Sequence, residues 1–253
     1  MTYRYGPHRL YVGDNYGYLA RFRSRLFRCA LLDPPYNIGV KYHDYHDALS
    51  DADYLGLMAG MLTGVRHALT DDGSAFLLAD KKYFADLQLV ARDVGFRFHG
   101  QIIWAYAFGQ YRDDGLTPSH TPIAWLAKSR SPAFFPDSVR VQSVRQKLGD
   151  KRANPAGRVM GDVWTDIPRL AGTHKERIPG VPTQLPLKLV RRLFAMTTAT
   201  GDVVLDPFAG SATALVAAHQ LGRRSVGIDL SERVAAIAAA RLERELGGAM
   251  GPR

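Results

Sequence analysis

The sequence predicts an α/β fold in which a mostly parallel, twisted sheet has helices on both faces. Short continuous apolar runs, such as residues 74–79, are typical of strands buried on both faces of a sheet. Longer segments between them, such as residues 54–69, repeat apolar side chains with the spacing of one helix face. Regular alternation of the two patterns is typical of strand–helix–strand units around a parallel sheet.

The individual elements follow from the same two patterns and from turn residues. Asp51 or Asp53 is expected to cap the helix at 54–69, because a carboxylate accepts hydrogen bonds from the first N–H groups of a helix. Asp71-Asp72-Gly73 predicts a turn, and residues 41–53 and 109–119 predict loops. The expected strands are 8–14, 30–32, 74–79, 98–106, 122–128, 201–206 and 224–228, and the expected helices are 16–25, 54–69, 82–94, 184–196, a segment from Thr213, and 231–246.

Composition and charge limit the classes of function. The chain has 253 residues, 46% hydrophobic and 23% charged, which fits one α/β domain over 1–253. It has no apolar run long enough to span a bilayer and no signal-peptide core at its start. A single cysteine, Cys29, excludes an internal disulfide and a cysteine-built metal site, and no metal is expected. The lack of a disulfide and of a signal-peptide core favours the cytoplasm. The net charge of +9 predicts attraction to polyanions such as nucleic acid.

Residues 129–172 interrupt the alternation of strands and helices. The segment concentrates basic side chains among prolines and contains few apolar runs, so it is interpreted as a short basic insertion. Two interpretations stay open: a surface segment that faces a polyanion, or a flexible linker. On the first interpretation, the insertion serves recognition of a nucleic-acid target, and the candidate contacts are Arg140, Arg145, Lys147, Lys151 and Arg152.

The first motif is Asp33-Pro34-Pro35-Tyr36, which directly follows the short apolar run 30–32. Two prolines fix φ at successive residues and end the strand ladder, so the backbone leaves the sheet as a stiff segment. This segment presents a carboxylate, a carbonyl without a neighbouring N–H donor, and an aromatic ring. Such a set suits a planar molecule that bears an NH₂ group, although a surface turn with a half-buried tyrosine would have the same sequence.

The second motif is a strand, a turn of small residues and a helix over residues 201–213. Small residues let a ligand approach the backbone, and the helix start offers N–H donors. The next expected strand ends at Asp229, a position from which an acidic side chain can bind ribose hydroxyls. The G-x-G-x-x-G phosphate cradle is absent, so a nucleoside without phosphates fits better than NAD, and a dehydrogenase is disfavoured.

The two motifs together resemble those of the DNA amino-methyltransferases. Residues 206–213 resemble the family's S-adenosylmethionine-binding turn D-P-F-x-G-S-G-T, and Asp33-Pro34-Pro35-Tyr36 matches its catalytic D-P-P-Y. The catalytic motif comes first, an order that is similar to the β class, a circularly permuted Rossmann-like methyltransferase fold. The segment 181–186 resembles the family's H-P-T-Q-K-P. Protein-glutamine and most RNA amino-methyltransferases carry the motifs in the opposite order.

The resemblance implies a set of site residues, and three positions depart from the family pattern. The implied catalytic residues are Asp33, Pro34, Pro35 and Tyr36. Binding of S-adenosyl-L-methionine falls to Asp206, Phe208, Gly210, Ser211, Thr213 and Asp229, with Asp14, Thr183 and Gln184 as further candidates. Ala212 replaces the usual glycine, which a turn of small residues should tolerate. Val181 and Leu185 replace the usual histidine and lysine, so side-chain contacts at those two positions are in doubt.

The implied reaction is site-specific transfer of a methyl group to the exocyclic amino group of a base flipped out of double-stranded DNA. Asp33 and the Pro34 carbonyl would accept hydrogen bonds from that amino group, and Tyr36 would stack on the base. In the family, D-P-P-Y favours adenine N6, with cytosine N4 as the alternative; a catalytically silent DNA-binding subunit is the alternative of another class. A homodimer and a cognate restriction endonuclease are candidate partners, and the resemblance implies a nucleoid-associated protein of a bacterium, an archaeon or a phage.

Overall fold

The computed structural model describes residues 1–42, 44–107 and 113–247, and residues 108–112 of the region around the expected loop 109–119 lie outside these ranges. A nine-stranded sheet lies between two layers of helices. Its strands are β1 (Thr2–Tyr5), β2 (His8–Val12), β3 (Phe27–Leu32), β4 (Leu69–Leu78), β5 (Arg97–Ala105), β6 (His120–Ala127), β9 (Val163–Trp164), β10 (Val203–Asp206) and β11 (Arg224–Asp229), and a separate two-stranded sheet is formed by β7 (Arg140–Val141) and β8 (Arg158–Val159). The helices are α1 (Asn15–Leu19), α2 (Asp51–Ala68), α3 (Phe84–Asp93), α4 (Val144–Lys147), α5 (Leu187–Thr197), α6 (Thr213–Gln220) and α7 (Glu232–Leu246).

The large sheet has the order β1-β2-β11-β10-β3-β4-β6-β5-β9. Strands β2, β11, β10, β3 and β4 run parallel to one another, whereas β1 and β6 run antiparallel to their neighbours. The predicted fold class, a mostly parallel sheet with helices on both faces, is therefore confirmed. Strand β1, which pairs with β2 as an antiparallel hairpin, was not predicted.

Alternation along the strands separates two apolar cores. In β3, Ala30 and Leu32 face the layer of α1, α2 and α3, whereas Cys29 and Leu31 face the layer of α5, α6 and α7. Both sets are buried, so the run is apolar on both faces, which is the reason for its continuous hydrophobic sequence. Cys29 is fully buried and packs as a core residue.

Several predicted element boundaries are wrong for local reasons. Helix α1 ends at Leu19 rather than Arg25, and Arg25 has a positive φ of 59°, which no α-helix accommodates. Helix α2 is capped by Ser50, whose side chain accepts from the N–H of Asp53, so neither predicted aspartate is the cap. Helix α5 begins at Leu187 after Pro186, because Gln184 is used in a loop contact.

The expected turn at Asp71-Asp72-Gly73 is instead a bulge within β4. Register between β3 and β4 passes from the pair Phe27–Leu69 to the pair Cys29–Ser74, so residues 70–73 bulge out of the ladder. Gly73 is required there, because a Cβ would come within 2.9 Å of the Thr70 carbonyl oxygen. The polar sequence that predicts a turn is the bulged part of one strand.

The basic segment 129–172 is not separate from the core. A 3₁₀ turn at Pro136–Val139 packs beside α5, and β9 adds to the sheet edge next to β5. Val139, Trp164 and Ile167 are buried in the α5-side core, so both ends of the segment are anchored. Between them, β7, α4 and β8 form a small hairpin-like unit. None of the described helices is long and apolar enough to cross a membrane.

Candidate active site

The two sequence motifs meet where the strand connections change direction. Strands β3 and β10 are parallel neighbours; β3 continues through α2 to β4 on one side, and β10 continues through α6 to β11 on the other. A crevice forms at the carboxyl ends of strands at such a switch point, and ligands of α/β proteins bind there. Asp33 directly follows β3, and Asp206 ends β10, so both motifs open on this crevice.

A cavity of about 320 Å³ occupies the crevice. All nine residues predicted to bind cofactor line it, namely Asp14, Thr183, Gln184, Asp206, Phe208, Gly210, Ser211, Thr213 and Asp229. Asp33, Pro34 and Pro35 line it as well, whereas Tyr36 is not among the lining residues. The fold thus brings together motifs that are 173 positions apart in the chain (206 minus 33).

The segment with the predicted catalytic residues, residues 33–37 and here called the catalytic segment, is held by side-chain hydrogen bonds. The Tyr36 hydroxyl donates to Asp33 Oδ1 at 2.6 Å. Burial raises the pKa of Asp33 to about 6, and the bond from Tyr36 opposes that rise. Burial and the neighbouring Asp33 carboxylate raise the pKa of Tyr36, so the phenol keeps its proton and stays a donor. The ring was expected to stack on a base; the structure gives its hydroxyl the further role of fixing the carboxylate.

Two residues that sequence reasoning missed anchor this segment. Asn37 has φ 57° and donates from Nδ2 to the Leu49 carbonyl at 3.0 Å and to the Tyr83 hydroxyl at 2.9 Å. Buried Asp47 accepts from the N–H groups of Asn37, Ile38 and Val40. The available signal was local: asparagine tolerates left-handed backbone, and Asn37 follows the catalytic motif directly.

The turn with the predicted cofactor residues, residues 206–213 and here called the cofactor turn, donates hydrogen bonds from its backbone N–H groups to two carboxylates. The N–H of Phe208 donates to Asp206 Oδ1 at 3.0 Å, and the N–H of Gly210 donates to Asp229 Oδ2 at 2.8 Å. Gly210 and Ala212 both have left-handed backbone, with φ 48° and 60°. The N–H groups of Phe208 and Gly210 are therefore already bonded within the protein, ahead of the helix start at Thr213. The substitution of Ala212 for the usual glycine is accommodated with strain.

Acidic side chains are concentrated at one edge of this cavity. Burial raises the pKa of Asp206 to about 8, and the nearby Asp33 and Asp229 carboxylates contribute in the same direction. Burial raises the pKa of Asp229 to about 6, opposed by hydrogen bonds from the N–H groups of Ser231 and Gly210. Three carboxyl groups at the ends of neighbouring strands make a site that favours hydroxyl, amino or cationic partners over phosphates.

The three further cofactor candidates differ in how they are used. Asp14 caps α1 by accepting from the N–H of Gly17 at 2.7 Å, and Thr183 is exposed at the cavity. Gln184 Oε1 accepts from the N–H of Ile178, and its Nε2 donates to the Glu176 carbonyl. Gln184 therefore shapes the loop that borders the cavity.

Aromatic side chains from the expected loop at 41–53 and from α1 and α2 also border the cavity; sequence reasoning did not single out any of them. They are Tyr16, Tyr42, Tyr45 and Tyr54. Tyr42 lies close to Asp33, whose charge helps to raise the pKa of that phenol after burial. Aromatic walls next to a carboxylate suit a flat heterocycle.

The basic residues of 129–172 lie away from the cavity, since no residue of that segment lines it. Arg140 pairs with Asp137 at 2.6 Å and donates to the Gly157 carbonyl, so its guanidinium is used within the hairpin-like unit. Arg152 pairs with Asp150. Arg145 and Lys147 on α4 and Lys151 beyond it are exposed.

This architecture defines a class: an α/β protein with a nucleoside-type site beside a carboxylate suited to an amino group. The chain belongs to the DNA methylase family N6_N4_Mtase, whose model matches residues 27–240. It is a DNA methyltransferase that acts on adenine N6 or cytosine N4.

Individual relatives agree with this class. The chain is 31% identical to the type II methyltransferase M.HpaI of Haemophilus parainfluenzae over 222 residues, which are 86% of this chain and 68% of that protein. TTHA0409 of Thermus thermophilus, assigned as a DNA modification methylase and solved with S-adenosyl-L-methionine, is 26% identical with a TM-score of 0.66 and 96% coverage of each chain. The cytosine-N4-specific PvuII DNA methyltransferase shares the fold, with 17% identity, a TM-score of 0.73, and coverage of 92% of this chain and 86% of that one.

Proposed function

We propose that this protein transfers the methyl group of S-adenosyl-L-methionine to adenine N6 at a specific site in double-stranded DNA, with Asp33 as the acceptor for the target amino group. The observation that carries the proposal is the shared cavity: Asp33, Pro34 and the cofactor turn border the same 320 Å³ space. A cofactor bound along residues 206–213 and a base at Asp33 would therefore be neighbours.

The residues present fit S-adenosyl-L-methionine. Asp229 has its carboxylate at the cavity, held by the N–H groups of Gly210 and Ser231, where its remaining lone pairs can accept from ribose hydroxyls. Small residues at Ala209 and Gly210 let a ligand approach the backbone, and Phe208 supplies an apolar wall. When bound, this cofactor supplies an electrophilic methyl group on a sulfonium.

The work of the chain is to activate and align a weak nucleophile. The exocyclic nitrogen of a base is weak because its lone pair is delocalised into the ring. Tyr36 occupies Asp33 Oδ1, which leaves Oδ2 of that carboxylate and the Pro34 carbonyl to accept from the NH₂ group. These hydrogen bonds would draw the lone pair out of conjugation and stabilise the positive charge that develops on nitrogen as the N–C bond forms and the methyl–sulfur bond breaks. The surplus proton on nitrogen would then leave to the Asp33 carboxylate or to water. Alignment of the amino nitrogen with the methyl carbon supplies the rest.

Base choice and DNA contacts are part of the proposal. Asp33 in a D-P-P-Y motif favours adenine over cytosine, and the aromatic border of Tyr42 and Tyr45 offers stacking surface for a flipped purine. We propose that phosphate contacts are made by the basic insertion, at Arg145, Lys147, Lys151 and Arg152. Arg140 stabilises the hairpin-like unit of β7, α4 and β8. Lysine and arginine contacts to phosphates predict steep loss of DNA affinity with salt. We further propose that the protein forms a homodimer, acts alongside a cognate restriction endonuclease and associates with the nucleoid.

The test is methylation of unmethylated double-stranded genomic DNA by the purified protein, followed by digestion to nucleosides and mass spectrometry. N6-methyladenine is expected, and Asp33→Ala is expected to yield none while still binding S-adenosyl-L-methionine in calorimetry. N4-methylcytosine would overturn the base assignment alone. Undiminished methylation by Asp33→Ala would overturn the assignment of Asp33, and a methylation-inactive wild-type chain that binds DNA would indicate a silent DNA-binding subunit. Single-molecule sequencing of the same DNA would identify the target site.

A further inference from the structure

Arg241 is a buried arginine on the side of the cofactor turn that faces away from the cavity. It lies on α7, only 3% of it is exposed, and it does not line the cavity. Its Nη1 donates to the Ser211 carbonyl at 2.9 Å, to Ser211 Oγ at 3.3 Å and to Thr213 Oγ1 at 2.9 Å. The two hydroxyls also bond to each other at 3.0 Å. One guanidinium nitrogen thus contacts the residue on each side of Ala212.

The position that Arg241 brackets is strained. Ala212 has φ 60° and ψ 28°, a left-handed conformation that its Cβ disfavours. A strained residue persists only where its surroundings restrain it. Here the Ser211 carbonyl precedes the strained residue and the Thr213 hydroxyl follows it, and both accept from the same buried cation. Arg241 therefore supplies a restraint that the turn cannot make from its own backbone.

Stability alone does not account for this arginine. Its Nε is buried and has no hydrogen-bond partner among the described residues, and burial lowers the pKa of the guanidinium. An unpaired buried donor and a buried charge both oppose folding. The charge is balanced at longer range by Glu245 on the same helix and by Glu176, whose backbone carbonyl accepts from Gln184. Arg241 thus contacts residues 211 and 213 directly and lies within electrostatic range of the segment around Glu176.

We infer that Arg241 is a positioning residue for the cofactor: its guanidinium fixes the backbone and hydroxyls of residues 211–213 in the conformation that binds S-adenosyl-L-methionine. The inference rests on the proposed function, because it assigns the turn to that cofactor. It predicts that Arg241 affects cofactor affinity and leaves DNA affinity unchanged.

The principal test compares Arg241→Lys with Arg244→Lys. Arg244 is on the same helix, but its side chain is 63% exposed and pairs only with Glu245 among the described residues. Lysine keeps the charge at both positions but replaces the planar, forked guanidinium with a single point donor. Arg241→Lys is expected to raise the Kd for S-adenosyl-L-methionine and its KM about tenfold, with the KM for DNA within about twofold of wild type. Arg244→Lys should match wild type.

Arg241→Lys with wild-type cofactor affinity would overturn the inference, as would equal losses in cofactor and DNA affinity. If the wild-type chain itself fails to bind S-adenosyl-L-methionine, the proposed function fails instead, so the two failures are distinguishable. Melting temperature is measured on every variant to confirm folding.

A second variant, Thr213→Val, tests the acceptor side and serves alone if Arg241→Lys does not fold. It removes the hydroxyl that accepts from Arg241 and should raise the Kd for S-adenosyl-L-methionine about tenfold, with the KM for DNA within about twofold of wild type. Because Arg241 and Thr213 act through one contact, the double variant Arg241→Lys/Thr213→Val should lose less cofactor affinity than the product of the two single-variant losses. Wild-type affinity in Thr213→Val, or multiplicative losses in the double variant, would contradict the assignment.

Discussion

The catalytic segment and the cofactor turn leave neighbouring strands at the same edge of the sheet, yet they are stiffened in different ways. In residues 33–37, prolines fix the backbone, and polar side chains from the following loop and α3 region, chiefly Asp47 and Tyr83, complete the hydrogen bonding. In residues 206–213, small residues adopt left-handed backbone, and Asp229 and Arg241 restrain them from distant elements. The catalytic segment holds one carboxylate in place, whereas the turn leaves backbone accessible to a ligand.

The largest expected effect separates chemistry from cofactor binding. Asp33→Asn keeps the shape of the side chain but replaces one acceptor oxygen by a donor and removes the negative charge. We expect kcat to fall by about 10³-fold or more, comparable to loss of a major electrostatic contact in other active sites. Calorimetry should give a Kd for S-adenosyl-L-methionine within a few-fold of wild type. A comparable loss in both quantities would show that the two regions are not separable.

A smaller effect is expected from the anchor of the catalytic segment. Asn37→Ala removes the bonds to Leu49 and Tyr83 and places alanine at φ 57°, so the free energy of unfolding should fall by about 2–3 kcal/mol. Activity should fall with little change in cofactor affinity. The matched control is Asn15→Ala, which removes one bond to the Pro207 carbonyl in the cofactor turn. Urea denaturation compares the two, and equal destabilisation would contradict the anchoring role.

The buried carboxyl group of Asp206 in the cofactor turn should make the stability of the protein depend on pH. The pKa of Asp206 is about 8 in the folded chain, above its ordinary value near 3.8. Between these values the unfolded chain is ionised while the folded one holds the proton, so stability falls as pH rises. Asp206→Asn should therefore gain stability over wild type between about pH 4 and pH 8, with a constant difference above that range. Melting curves at several pH values test this, and a pH-independent difference would exclude a buried neutral Asp206.

The smallest expected effect refines the role of Tyr36. The carboxylate form of Asp33 is the acceptor, so activity should rise with pH through about 6. The bond from Tyr36 favours that form, and Tyr36→Phe should therefore move the acidic limb of the kcat profile to higher pH while keeping the ring. At pH 8 the variant should be within about tenfold of wild type. An unshifted limb would leave stacking as the remaining role of Tyr36.

Much of this protein was determined by local sequence. The apolar run 30–32 was too short for a helix and predicted a buried strand, and the two prolines after it predicted where that strand ends. The order of Asp33 before Asp206 indicated the permuted methyltransferase fold through the resemblance to the family. Turn sequences were less decisive: Asp71-Asp72-Gly73 predicts a turn in isolation, but pairing between β3 and β4 turns it into a bulge. The turn preference of these three residues does not decide the structure, because the strand pairing on each side of the bulge is buried.

Only the tertiary structure decided which polar residues support the site. Asn37, Asp47 and Arg241 look in the sequence like ordinary loop or helix-surface residues, because hydropathy cannot distinguish a solvated polar group from a buried one with partners. Arg241 meets its acceptors 28 and 30 positions away, and only the packing of α7 against α6 brings them together. Hydrogen-bond partners at such separations leave no periodic trace in the sequence, so the motifs predicted residues that line the cavity but not the residues that hold them in place.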